Sequence, residues 1–295
     1  QNFEPQQVPI QPYEFFNNNW QISCTPEAPS WFTSLLSKVI KIEPVEPQIV
    51  QLQGKLSLST LRVLSQNVWF DYYKREVRTI ALINLIQEKN IDIACLQEIT
   101  PSVACLLANN PFIRENYQIT CPPSLTKLVA PYGLFMLIKK SINVSNLYYW
   151  TLPSNMYRNV LCAEVILCNP DLPPAVRDEH TFCIATVHLE SLVNTPYRCA
   201  QLKHIYERIS HHKNAMLMGD FNFSPADPEE TVLKQELHQL EDQWAILKPK
   251  DDPGYTWDYK VNSMLKKDKF QDRYDRITVK CNKSKWQPQC IEIVS

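Results

Sequence analysis

The 295-residue sequence predicts an α/β domain with one mixed sheet or two packed sheets, and three observations carry that prediction. Short β-rich runs alternate with helical ones from Leu61 onward. Several strand-like runs follow one another with no helix between them, which a purely parallel sheet does not permit. A composition of 44% hydrophobic and 11% aromatic residues is enough to bury a sizeable core.

Taken in order, residues 1–55 carry Pro, Gln and Asn throughout and are expected to form an extension, with an amphipathic helix over residues 31–40, ahead of a domain spanning 56–295. Residues 61–69 read as a strand. Residues 75–88 read as a helix, because Val77, Ile80, Ala81, Ile83, Leu85 and Ile86 approximate one apolar face. Further strands are expected over 91–97, 133–139, 158–167, 181–189, 215–219, 274–280 and 290–294, with a helix over 198–209. No internal repeat or low-complexity block interrupts this order.

Composition also excludes several functions. Thirty Lys and Arg against 31 Asp and Glu leave a formal net charge of -1, so a polyanion would have to be met by a local patch rather than by bulk charge. With four glycines there is no GxGxxG or GxxxxGK, which leaves nucleotide binding of the dinucleotide or Walker type unsupported. The longest apolar run, residues 133–138, falls far short of the ~20 residues of a membrane helix. No signal peptide is readable after Gln1, and the ten cysteines contain no CxxC pair, so they read as buried reduced thiols of an intracellular protein, nuclear or cytoplasmic.

Four strand ends terminate in polar residues that a core would not choose: Ser65-Gln66-Asn67, Leu96-Gln97-Glu98, Val187-His188-Leu189-Glu190 and Met218-Gly219-Asp220-Phe221-Asn222. Strand ends of an α/β sandwich converge on one rim, so Asn67, Glu98, His188, Asp220 and Asn222 are expected in one cleft. Glu98 suits Mg²⁺, which keeps much of its water shell. Asp220 is placed to take a proton from water, and a protonated His188 would stabilise charge growing on phosphoryl oxygens. Singly, each piece has a plainer reading: Glu98 a solvated edge residue, Asp220 and Asn222 a capping turn, His188 a packed structural imidazole. Lys266, Lys267, Lys269, Arg273, Arg276, Lys280, Lys283 and Lys285 form a basic cluster that either tracks a nucleic-acid backbone or is a solvated loop.

LSQNVW, CLQEIT, TVHLES, MGDFNF, TWD and RYDRI, in this order, resemble the endonuclease/exonuclease/phosphatase superfamily, and within it the tyrosyl-DNA phosphodiesterase 2 group. The resemblance runs from about Leu61 to the C-terminus. It implies a four-layer, deoxyribonuclease-I-like sandwich and hydrolysis of phosphoester bonds with Mg²⁺ or Mn²⁺. Glu98 and Asn67 would hold the metal and its phosphate, Asp220 would activate water, and Asn222 and His188 would bind phosphoryl oxygens. Asp275 of Arg273-Tyr274-Asp275-Arg276-Ile277 would orient a histidine. Arg158, Glu190, Ser191 and Trp257 would contact substrate, although Trp257 reads equally as an ordinary buried Trp.

The sequence departs from the family pattern in two ways. Animal relatives place an Asp two residues after the Asn, where this chain has Trp69 and the nearest carboxylate is Asp71. The family's closing Ser-Asp-His strand is missing, and His180, His188, His204, His211, His212 and His238 all precede Asp275, so the last strand is expected to be lacking. The expected function is therefore a Mg-dependent phosphodiesterase acting at nucleic-acid ends, with 5′-phosphotyrosyl DNA as substrate. The alternatives are an impaired relative that binds nucleic acid or protein through the same cleft, or a phosphodiesterase or phosphatase for RNA, inositol phosphates or phospholipids.

Overall fold

Two mixed sheets pack face to face with helices outside both, giving four layers. The computed structural model describes residues 7–10, 12–16, 19–22, 59–265 and 269–294. The first sheet has the order β3 (Asn19–Ile22), β2 (Tyr13–Phe16), β6 (Tyr117–Ile119), β7 (Gly133–Lys139), β5 (Ile93–Ile99), β4 (Val63–Asn67). The second has the order β1 (Gln7–Pro9), β8 (Asn143–Thr151), β9 (Asn159–Ile166), β10 (Thr181–His188), β11 (Asn214–Asp220), β15 (Asp275–Lys280), β12 (Glu241–Asp242). A small ribbon pairs β13 (Trp257–Asp258) with β14 (Gln271–Asp272). Three short strands of residues 7–22 thus join both sheets: β1 pairs with β8, and β2 with β6. The helix expected over residues 31–40 lies outside the described residues.

The alternation of side chains along buried strands builds three apolar layers. Ile93 and Cys95 of β5 face Ile184 and Met218 of the other sheet, in the middle of the sandwich. Ala94 and Leu96 face the outer layer, where α1 (Arg75–Glu88) and α2 (Pro101–Asn109) pack. Cys183, Ala185 and Val187 of β10 face α5 (Thr195–Ile209), which follows α3 (Pro111–Asn116) and α4 (Pro174–Glu179) in the chain, and α6 (Glu229–Gln235) closes that layer. A last short helix, α7 (Gln243–Leu247), follows β12. Among the described residues no helix is long and apolar enough to cross a membrane, and all nine described cysteines are free.

In α1 the buried stripe is Thr79, Leu82, Ile83 and Ile86, while Val77 and Ile80 are 64% and 58% exposed, so the face is turned from the expected one. The strand expected over 290–294 does not form. Residues 281–294 instead run irregularly along the sandwich, with Trp286 edge-on to Phe182 and Lys89 paired to Glu292 at 2.8 Å.

Candidate active site

Two local devices bring polar side chains to one rim. A bulge between Leu96 and Ile99 interrupts the β5–β7 ladder, and Glu98, at φ 59°, is turned out of the strand there. Gly219 has φ 141°, and a Cβ at that position would sit 2.0 Å from the Val187 carbonyl oxygen. Only glycine lets β11 approach β10 this closely, and the approach sets Asp220 opposite His188 in the ladder. On its other side Asp220 stands opposite Asp275, the first residue of β15. Behind this rim Gln97, fully buried, ties the sheets together by donating to Thr186 Oγ1 at 2.9 Å.

Asn67, at the end of β4, donates through Nδ2 to Glu98 Oε1 (2.9 Å) and to Asp220 Oδ2 (3.0 Å). Its own Oδ1 accepts from the Trp69 N–H at 2.9 Å, and Glu98 Oε2 accepts from the Phe70 N–H at 2.9 Å. His188 Nε2 lies 3.8 Å from Glu98 Oε1 and 3.7 Å from Asp220 Oδ2. The Asn222 N–H caps Asp220 Oδ1 at 2.9 Å, and its side-chain amide donates to Leu189 O at 3.1 Å. Asn67, Glu98, His188, Asp220, Asn222 and Asp275 therefore occupy one rim.

Negative charge accumulates there. Burial raises the Asp220 carboxyl, the Glu98 carboxylate adds to the effect, and the hydrogen bonds from Asn67 and Asn222 oppose it. Asp275 is pushed up to about 8, first by burial and then by the Asp220 and Glu98 carboxylates, against the hydrogen bond with Thr256. Its Oδ1 is buried without a hydrogen-bond partner.

His188 would stabilise phosphoryl charge as a cation only if protonated, and its surroundings disfavour that proton. Burial, reinforced by the Arg158 guanidinium, lowers the ring's pKa to about 3. Arg158 Nη1 donates to His188 Nδ1 at 3.0 Å, so the neutral ring carries its proton on Nε2, facing the two carboxylates. Arg158 itself is 6% exposed, and besides touching His188 its guanidinium acts on the Asp220 carboxyl, opposing the rise. Glu190, expected to touch substrate, is instead fully buried: it accepts from Ser154 Oγ, from the Asn155 N–H at 2.8 Å and from Gln201 Nε2 at 3.2 Å. It anchors the turn that leads into Arg158. Ser191 Oγ lies 3.1 Å from Met156 Sδ in the same turn.

Trp257 stands beside the rim, stacked on Phe270 (5.9 Å) and edge-on to Tyr274 (6.2 Å). Thr256, next to it, accepts the Tyr274 and Asp275 N–H groups at 3.1 and 3.0 Å. Asp71 does not face Glu98: its Oδ1 accepts the Tyr73 N–H at 2.7 Å. Three members of the basic cluster are already paired. Arg273 pairs with Asp242 at 2.8 Å, Arg276 with Glu230 at 2.7 Å, Lys283 with Glu241 at 2.9 Å, and Lys266 and Lys267 lie outside the described residues.

Two residues at the rim were not anticipated from sequence. Tyr132 lies 6.3 Å from the His188 ring and stacks on Phe70 at 4.7 Å. The signal for Phe70 was present: four aromatics in the five residues 69–73, directly after a polar strand end. Tyr132 has no comparable flag.

Among the described residues, no three His, Cys, Asp or Glu side chains form a ready metal cage. The donor set still fits a hard cation. Glu98 and Asp220 are bridged only by an amide, Asp275 has an orphaned buried oxygen, and Mg²⁺ commonly takes one or two carboxylates while keeping its waters.

The sequence profile of the Endonuclease/Exonuclease/phosphatase family matches residues 64–263. No curated protein matches the sequence. Among solved structures, D. rerio TDP2 complexed with single strand DNA product is similar at TM-score 0.61 and 23% identity, over 78% of this chain and 87% of that one. TDP2 from C. elegans is similar at 0.60 and 18% identity, over 86% of this chain and 71% of that one. The human Nocturnin catalytic domain with bound sulfate is similar at 0.54 and 19% identity, over 74% and 81%. At these identities the structural likeness carries the fold.

Proposed function

The chain belongs to the endonuclease/exonuclease/phosphatase family, and from that premise we propose that it is a metal-dependent phosphodiesterase hydrolysing phosphoester bonds at nucleic-acid ends, with 5′-phosphotyrosyl DNA as its substrate. The observation that carries the reading is the pair of carboxylates Glu98 and Asp220, joined through the Asn67 amide, with the buried Asp275 opposite Asp220 pushed by burial and by both of them to keep its proton. A purely structural network gains nothing from setting two carboxylates on one amide beside a third buried acid. A phosphoryl-transfer site does, because a divalent ion and the substrate complete it. The TDP2 neighbour bound to a single-stranded DNA product supports the nucleic-acid end as substrate.

In this reading Glu98 and Asn67 hold Mg²⁺, or Mn²⁺ in its place. When bound, the ion supplies a Lewis acid for the phosphoryl oxygens. Asp220 takes the proton of the attacking water. Its raised carboxyl suits that task, since a base poised closer to neutral pH is the stronger one. The neutral His188 donates its Nε2 proton to a phosphoryl oxygen, and Arg158 on Nδ1 holds that tautomer in place. Asn222, pinned at φ 54° beside Asp220, offers the remaining N–H of its amide to the same group. Asp275 keeps its proton at neutral pH and so spares the rim a third negative charge.

The test is hydrolysis of a 5′-tyrosyl oligonucleotide by the purified chain in Mg²⁺ and in EDTA, beside Asp220→Ala. Release of tyrosine in Mg²⁺ alone, lost in the variant, supports the proposal. No release by wild type, with the oligonucleotide still bound, favours the binding-only relative instead.

A further inference from the structure

Resting on that reading, we infer that the loop of residues 69–73 is a stacking platform over which the single-stranded part of a nucleic-acid substrate runs outward from the phosphoryl site. Four aromatics fill it, and they are not buried: Trp69 is 39%, Phe70 44%, Tyr73 52% and Tyr72 85% exposed. A loop that serves only to connect β4 to α1 has no need of such residues.

The loop is also rigid and strained, which an idle surface would not be. Trp69 at its start and Lys74 at its end both have left-handed backbone, φ 58° and 48°, a conformation costly for bulky side chains. Two arginines of α1 brace it from below. Arg75 donates to the carbonyls of Phe70 and Asp71, and Arg78 to those of Val68, Trp69, Asp71 and Tyr73. The same guanidinium groups lie over the rings, Arg75 at 4.0 Å from Tyr72 and Arg78 at 4.9 Å from Trp69. One face of each ring is thereby fixed by a cation. Tyr72, 85% exposed even so, presents its other face to solvent.

Position and charge select the occupant. The loop is continuous with the rim, because its Trp69 and Phe70 N–H groups hold Asn67 and Glu98. Phe70 stacks on Tyr132, which adjoins His188, so aromatic rings lead without a break from the phosphoryl site onto the loop. Beyond Tyr72 lies an open groove of about 960 Å³, entered past Lys74 and Arg75, with Glu76 as the acid on its wall. Arg75 and Arg78 spend their N–H groups on the loop's carbonyls and on Ser102, but Lys74 at the end of the loop forms no ion pair with a carboxylate of the described residues and stands over the Tyr73 ring at 5.3 Å. Exposed rings beside an available cation are how single strands are held irrespective of sequence, with bases on the rings and, here, a phosphate on Lys74. A protein partner would meet the same rings with its apolar side chains and leave Lys74 without use.

The probe is the oligothymidylate dT10, titrated in EDTA against the whole chain and followed by tryptophan fluorescence. Tyr72→Ala with Tyr73→Ala should weaken binding on the order of tenfold or more, while Tyr72→Phe with Tyr73→Phe should bind as wild type, since stacking needs the ring and not the hydroxyl. Affinity for dT2 should be far lower and indifferent to the alanine pair. Wild-type hydrolysis of bis(p-nitrophenyl) phosphate, which has no bases, reports the catalytic reading separately. If that ester is cleaved and the alanine pair still binds dT10 as tightly as wild type, the platform is refuted and the patch belongs to a protein partner. If the ester is not cleaved but dT10 binds through the rings, the hydrolytic reading fails and the platform stands.

Discussion

Asp275 and Arg276 are neighbours on β15, yet they sit in opposite electrostatic worlds. Arg276, fully buried at its side chain, meets Glu230 at 2.7 Å and Asp242 at 3.2 Å, Arg273 shares Asp242 at 2.8 Å, and the exposed Lys234 adds to Glu230 at 3.1 Å, so every anion there has a cation. One residue earlier, on the sandwich side, Asp275 meets Asp220 and Glu98 and has an oxygen with no partner. The chain can balance buried charge wherever balance serves the fold. Where it does not, the imbalance is what the proposed phosphoryl site rests on.

That contrast predicts opposite phenotypes on the two sides. Asp220→Ala should lower kcat for a 5′-tyrosyl oligonucleotide by on the order of a thousandfold, while the urea midpoint stays level or rises, because the change removes a buried like charge. Arg276→Met should do the reverse. It leaves Glu230 buried without its main partner and should cost about 3–5 kcal/mol in urea unfolding, with the rate per folded molecule little changed. Arg158→Met, which frees the His188 ring, should lower kcat roughly tenfold, since orienting partners carry effects of that size. It should also raise the His188 titration seen by imidazole NMR, because the guanidinium helps to depress it.

The smallest effect is a stability difference that depends on pH. Folded Asp275 keeps its proton up to about pH 8, whereas an unfolded Asp loses it near pH 4. Between those limits the folded state binds more protons, so stability falls as pH rises. Asp275→Asn removes that dependence. In EDTA its melting temperature should exceed that of wild type by a few degrees at pH 8, and the two should converge near pH 4.

The sandwich was legible wherever strands alternate cleanly or are buried on both faces, as over Gly133–Lys139, which appears at its expected limits. β8 was not anticipated, because a register shift between Val144 and Asn146 spaces its buried Val144, Leu147 and Trp150 by three and hides the period of two. α2 was passed over although Thr100 caps it and Pro101 begins it, the ordinary start signal of a helix. Strands within residues 7–22 were masked by Pro, Gln and Asn, which carry no periodicity; ladder bonds to the two sheets make them strands.

The rim was legible because its side chains end strands, and strand ends are fixed by the same alternation that fixes the core. What could not be read was the role of each neighbour. Glu190 follows His188 by two residues and looks equivalent, but an extra turn sends it under the loop of Ser154. Nothing in the sequence shows that Arg158 also bonds His188 Nδ1.

In the proposed site a divalent cation held by Glu98 completes the carboxylates at the rim. Calorimetric titration of MgCl₂ into the purified chain near neutral pH tests it most directly, with Glu98→Gln alongside. One equivalent of ion taken up by wild type and lost in the variant is the predicted result. No uptake by wild type, or identical uptake by both proteins, would contradict it.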